Sequence, residues 1–491
     1  MAISPKARPY LFVLVLVLVA AGIVVARLPQ DQPTAAPTTT GVTTPPVVNA
    51  EGGDGAGDAY YPQDGNTGYD VSAYDVSISY DPTTKRLDGV AKITAKATAD
   101  LSRFNLDLYE LEVSNVDVGG TKATSFEREG DHELVVVPER ALRNGEEFTT
   151  TVAYGGQPTV VEDRALGRSG WQISSTGGAF AAGEPHSATT WFPANDTPRD
   201  KATFALTARV PQGWSVVSNG VEEGSASADG WTTFRWVAEQ PMATYLTTVA
   251  IDRWTIERST LPDGTPVVDA YAPGAQNGRQ HQERLPEVLA FLSEKFGPYP
   301  FESAGGIFLA DNIGFSLETQ TRPIYAGWAD LDTVVHENAH QWFGDSVTLE
   351  NWADICLNEC FASYAQWLWD EAKGGEDLDA RYRAEIERTG DRDAYWGRKL
   401  YDMGRGNEFR GVYDKGQLAL HALRRQVGDQ AFDQVLKGWT ATHRDSNASW
   451  PEFEAHVEQV SGQDLDAFFA AWFRGDEVPA DEYLYPGSLR R

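Results

Sequence analysis

Sulfur and positive charge are what this chain has least of. Two cysteines in 491 residues exclude the disulfide framework that stabilises many small exported domains. Both fall at Cys356 and Cys360. Bridging residues four apart on a regular helix works against preferred disulfide geometry, so the pair reads as two buried thiols acting as small apolar groups. Lysine and arginine number 41 against 71 acids, a formal charge of −30. A balance this acidic argues against nucleic acid and against anionic membrane surfaces as partners. Long apolar runs are also missing, with one exception at the very start. Histidine occurs only eight times, which makes any clustering of it informative.

The exception is the stretch from Tyr10 to Ala26. Lys6 and Arg8 precede it, Arg27 closes it, and Val24-Val25-Ala26 offers a small-residue cleavage site. Residues 1–27 therefore read as a signal peptide or a signal anchor. Either outcome exports the body, secreted or held at the outer face of the cytoplasmic membrane by a single N-terminal anchor. With no cysteine near the run, a lipoprotein anchor is excluded. Residues 28–58 are rich in Pro, Thr and Gly and read as a linker unable to form a core.

From 59 to 258 the apolar residues alternate with period two. Tyr74 to Tyr80 and Gly89 to Ala95 show it cleanly, and Leu134–Val137, Phe204–Ala208 and Thr233–Trp236 repeat it between Gly, Asn and Asp turns. This predicts an antiparallel β sandwich or saddle-shaped domain. From 259 to 491 helical periods take over. Helices are expected over His281 to Phe296, Trp352 to Trp369, Tyr413 to Val427, Gln430 to Thr440, Trp450 to Val460 and Leu465 to Phe473, with a short strand at Gly305 to Leu309. The fold class is thus multidomain α+β, a β-rich domain followed by a mostly helical one.

His336-Glu337-Asn338-Ala339-His340 opens the chemistry, and Glu359 follows after eighteen intervening residues. Residues i and i+4 of a helix lie about 40° apart around the axis and ~6 Å along it. Both imidazoles can therefore reach one cation, and Glu359 from the next helix supplies a third ligand. Three ligands and an open fourth position are the catalytic zinc arrangement. Glu337 falls on the neighbouring flank, where it can act as general base toward solvent at that position. One Zn2+ per chain is expected.

The run His336 to Gly344, then Trp352, Leu357-Asn358-Glu359 and Phe361-Ala362-Ser363-Tyr364, resembles the aminopeptidase N and leukotriene-hydrolase type of zinc metallopeptidase. The resemblance spans about residues 60 to 480 and implies a thermolysin-like catalytic domain after the β domain. Gly314 to Thr319 stands where that family carries its exopeptidase motif, and the likeness implies that Glu318 binds the substrate's α-ammonium. Phe315 and Thr319 replace the family's Gly and Asn there, altering the first specificity pocket. Glu184, ahead of Trp191-Phe192-Pro193, is similar to the second amine-binding position. Tyr413 resembles the catalytic tyrosine that donates to the developing oxyanion. Gly is usual where Cys360 stands. Larger relatives add a helical module after the catalytic domain, which is not expected here.

Peptides with a free N-terminus are the implied substrates. The competing readings are a thermolysin-type endopeptidase and a non-catalytic zinc-containing binding module. No residue supports epoxide hydrolysis. Asp354 and Ser363 are candidates to support the zinc ligands.

Overall fold

Tyr74, Val76, Ile78 and Tyr80 are buried while Asp75 and Ser77 between them face out, so a half-buried strand forms where the alternation runs. The computed structural model describes residues 51–164, 166–275 and 278–490. This strand begins at Tyr69 rather than Tyr74, because a bulge between Val71 and Ala73 inserts one residue and resets the alternation. It lies inside an eight-stranded sheet in the order 221–228, 231–242, 202–211, 69–81, 86–97, 147–156, 112–118, 121–122. Its pairing with Ala202–Pro211 is parallel; every other pairing in the sheet is antiparallel. A five-stranded sheet (215–218, 249–252, 179–182, 167–173, 160–163) and a three-stranded one (104–107, 133–137, 125–129) complete the β-rich part.

The second part opens on four strands, Thr255–Thr260, Pro266–Tyr271, Ala304–Phe308 and Ile324–Tyr325. The boundary read at 258/259 falls inside the first of these. Helices then dominate: Leu285–Phe296, Leu331–Ala339, Cys356–Trp369, Asp414–Val427, Asp429–Thr442 and Trp450–Ser461. The helix expected from His281 is broken after Gln282, and a new one starts at Leu285 with Pro286 in its first turn, where the missing N–H costs nothing.

The two parts are tied by a buried arginine and a half-buried lysine reaching backbone. Arg322, fully buried, donates to the carbonyls of Val268 (2.9 Å), Gly220 (2.7 Å) and Ala304. It thereby joins the helical part's sheet to the β-rich part. Lys201 donates to the carbonyls of Asp345 and Ser346, both at 2.8 Å. Each cation spends its donors on carbonyls that would otherwise be unsatisfied at the seam.

The N-terminal apolar segment and the linker up to residue 50 lie outside the described residues. The last part of the linker is not loose: Gly52 N donates to Arg103 O at 3.1 Å. Asp58 accepts from Tyr60 N and, across the seam, from Trp352 N, both at 2.7 Å. Low apolar content hid this, because the anchoring is by hydrogen bonds. Among the described residues no helix is long and apolar enough to cross a membrane.

Candidate metal centre and substrate cleft

The helix carrying the first histidine is started deliberately. Asp330 accepts from Thr333 N at 3.0 Å, and the Thr333 side chain answers to Asp330 N, a capping box that satisfies two otherwise free N–H groups. Val334, Val335 and Ala339 bury its back face. The helix ends with Ala339, so His340 sits at the cap position and the chain turns sharply through Gly344. That glycine has φ +135°, and a Cβ there would stand 3.3 Å from His340 Nδ1. The next helix, Cys356–Trp369, is held alongside by Phe361 stacked on Phe343 with centroids 4.4 Å apart.

This packing brings three donors together. His336 Nε2 and His340 Nε2 are 3.1 Å apart, and Glu359 Oε2 lies 3.2 Å from the first and 3.5 Å from the second. Two imidazole nitrogens facing each other over a buried carboxylate form a donor set that a small cation completes. The fit is specific to zinc-like chemistry, with two nitrogens, one oxygen and room for a fourth ligand. His340 Nδ1 lies 3.0 Å from Phe343 O. Donation to that carbonyl leaves the Nε2 lone pair free to ligate. Burial alone would raise the Glu359 carboxyl, but the imidazoles of His340 and His336 overcome it and hold it at about 2.

All seven residues singled out in the sequence, Glu184, Glu318, His336, Glu337, His340, Glu359 and Tyr413, line one cleft of about 550 Å³. Glu337 is buried on the helix flank, and burial first, then Glu318 and Glu359, push its carboxyl well above the usual range despite His340. Tyr413 precedes the Asp414–Val427 helix and stands at the cleft mouth, 39% exposed, its ring 6.0 Å from that of His336. Partial loss of water in the cleft, then the carboxylates of Glu359 and Glu184, raise its phenol above the usual value, so it stays protonated.

Glu318 (2% exposed) and Glu184 (4%) come from the two different parts of the molecule. Each has a buried Oε1 without a hydrogen-bond partner. Burial raises both carboxyls, helped by Glu318 and Glu359 at Glu184, and by Glu359 against His340 at Glu318. The loop holding Glu318 is pinned by a residue the sequence reading passed over. Gln341, next to His340, donates to Glu318 O at 3.1 Å and accepts from Thr321 N at 2.7 Å. Periodicity marks Gln341 only as one more helix-end residue; its two long-range bonds exist only in three dimensions. Leu166, Trp328 and Phe409 also wall the cleft, drawn from loops whose sequence carries no signal.

Two expectations are corrected. Cys356 and Cys360 are not thiols: they form a disulfide, with Cα atoms 4.8 Å apart. The pair lies at the start of the helix, with Cys356 its first residue, just after the short helical turn Trp352–Asp354. Asp354 does not support the zinc ligands. It accepts from Trp450 N at 2.9 Å and from Asn351 N at 3.1 Å, organising a helix start and a turn. Ser363 does line the cleft.

A helix-borne histidine pair completed by a glutamate on the next helix, beneath a β-rich domain that contributes a further acid, defines a two-part metallopeptidase. The chain belongs to peptidase family M1. Residues 295–472 match the Peptidase family M1 domain and residues 71–246 the Peptidase M1 N-terminal domain. The crystal structure of the M1 zinc metallopeptidase from Deinococcus radiodurans superposes with a TM-score of 0.81 at 31% identity, covering 87% of this chain and 98% of that one. A mutant of that enzyme bound to a Tyr-Ser-Ala substrate gives 0.80 at 30% identity, over 87% and 99% of the two chains. Probable aminopeptidase 1 of Saccharolobus solfataricus is 24% identical over 451 residues, 83% of this chain and 54% of that protein. The chain spans about half the length of the curated relatives it matches.

Proposed function

We propose that this protein is a zinc-dependent aminopeptidase that hydrolyses the N-terminal bond of peptides. The observation that carries this reading is the pair Glu184 and Glu318, two buried carboxylates with unpartnered oxygens in the same cleft as the metal-binding triad. An α-ammonium satisfies both with charge-assisted hydrogen bonds, and a chain with residues ahead of that amine has nothing to offer them. The ability of a close structural relative's mutant to bind Tyr-Ser-Ala, a tripeptide, supports the same reading.

His336, His340 and Glu359 would hold the zinc ion. When bound it polarises the scissile carbonyl and acidifies water. Glu337 takes the proton of the attacking water and delivers it to the departing amine. Tyr413 donates to the carbonyl oxygen as negative charge develops there. Glu318 and Glu184 fix the amino terminus, which sets the register of cleavage at one residue. Release from the cytoplasm is part of the same proposal. The basic-then-apolar start at Lys6 to Ala26 and the Cys356–Cys360 disulfide both suit an oxidising compartment.

The test compares aminoacyl-arylamides and free tripeptides with their N-acetylated counterparts on zinc-loaded protein. Free substrates are expected to turn over and blocked ones to resist. Equal cleavage of both would assign a thermolysin-type endopeptidase instead.

A further inference from the structure

A second cluster of acids and imidazoles lies in the β-rich part, away from the cleft. Asp107 ends the strand Phe104–Asp107, Glu133 opens the strand paired with it, and His132 comes just before. Asp64 arrives from the loop preceding Tyr69. Ligating atoms of Asp107, His132 and Glu133 all lie within 4.8 Å of one another. His132 Nε2 is 3.1 Å from Gln63 O, 3.8 Å from Asp64 Oδ1 and 3.9 Å from Asp107 Oδ1.

Burial separates this cluster from a solvated acidic patch. Asp107 is fully buried, and Glu133 is 7% exposed with no hydrogen-bond partner on either carboxylate oxygen. Asp107 is served by Asn66 Nδ2 at 3.1 Å and Asp196 N at 2.7 Å, and Asp64 faces His186 Nδ1 at 2.9 Å. Arg405, at the edge of the adjoining cavity, lies over the Tyr61 ring. None of these donors reaches Glu133, and the Asn105 side chain beside it eases its charge only in part. Burial, eased in part by Asn105, holds this carboxyl at about 8, so at neutral pH it stays ionised only where a cation joins it.

We propose that Asp107, Glu133 and His132, with Asp64 and the Gln63 carbonyl, form a second divalent-cation site. An oxygen-rich donor set with one imidazole suits Mn2+ or Ca2+, with Zn2+ as a weaker fit. His132 ligates through Nε2 once its proton moves to Nδ1, and the Gln63 carbonyl turns from accepting that proton to facing the ion. The site's role is structural. Asp107 exchanges backbone hydrogen bonds with Ala194 at 2.8 and 3.0 Å, and Tyr109 N donates to Thr189 O at 3.0 Å. An ion at Asp107 therefore stiffens the stretch 184–196, whose first residue is Glu184.

The experiment uses full-length zinc-loaded protein stripped of loosely held metal, titrated separately with MnCl2, CaCl2 and ZnCl2. Thermal unfolding and metal content per chain are measured for the natural protein and for Glu133→Gln. With Mn2+ or Ca2+ in hundredfold excess over Kd, the natural protein gains about 2–5 °C in Tm and a second metal equivalent. Glu133→Gln starts at a higher Tm than the cation-free natural protein, does not respond and stays at one equivalent. His132→Ala, at a partly exposed position, supplies the same reading should Glu133→Gln not fold. The proposal is overturned if no cation moves Tm or metal content, or if the variants respond as the natural protein does.

Discussion

The zinc cleft and the Asp107–Glu133 cluster are built from the same side chains and differ in how they are assembled. In the cleft, two histidines and the base arrive on one helical turn and the third ligand on the next helix. In the β-rich cluster the groups come from three separate places: a loop, a strand end and a strand start. The first collects its groups by local periodicity, the second by sheet pairing. Buried charge in the cleft includes unpartnered oxygens on residues that line open space. Buried charge in the other holds chain segments together. Changes in the first should therefore act on turnover and leave stability nearly alone, and changes in the second should do the reverse.

The largest effect tests that contrast at its sharpest point. Glu337→Gln is expected to lower kcat by about 10²–10⁴-fold with one zinc still bound, measured by aminoacyl-arylamide hydrolysis and elemental analysis. Glu133→Gln, in contrast, should leave kcat within about threefold while changing Tm. Loss of zinc from Glu337→Gln would remove the distinction between ligand and base. Next in size, Tyr413→Phe should cost about 10²–10³ in kcat with KM little changed, since the phenol acts on charge present only during reaction. A rise in KM alone would make Tyr413 a binding wall. Glu318→Ala comes third, lowering kcat/KM for free tripeptides by about 10²-fold and narrowing the gap to N-acetylated ones. An unchanged gap would move amine recognition elsewhere.

The same contrast explains what was legible in the sequence. The His336–His340–Glu359 cluster and the order of a β-rich domain before a helical one could be read because period-two and i, i+4 spacing are local. The start of the first long strand was hidden by the bulge at Val71, which shifts the alternation without removing it. The parallel pairing of Tyr69–Asp81 with Ala202–Pro211 joins segments far apart in the chain, and no local pattern encodes it. Gln341, Arg322 and Glu133 escaped notice for one reason. Their significance lies in partners, or the lack of them, that only folding brings near. Glu184 and Tyr413 sit between the two cases, visible through family likeness and not through spacing.

The seam between the two parts offers the smallest and most selective test of structural charge. Lys201 is half-buried there, and loss of water lowers its ammonium from 10.5 to about 7, with Asp445 and Asp345 opposing only in part. Its Nζ donors nevertheless serve the carbonyls of Asp345 and Ser346, just past the His340 turn. The sign follows from proton counting. Below pH 7 both folded and unfolded chains hold the proton, and the burial penalty is felt in full. Between about 7 and 10.5 the unfolded chain holds a proton that the folded one has released, so stability rises with pH across that window. The slope from this residue is at most about 1.4 kcal/mol per pH unit. Lys201→Met removes the titrating group while keeping the apolar stem. Urea unfolding of the natural and substituted proteins at pH 7, 8 and 9, at fixed zinc, should show their difference in stability growing with pH in favour of the natural chain. A difference independent of pH would mean that Lys201 keeps its charge in the fold, and that this seam, like the cleft, holds an ion rather than hiding a neutral amine.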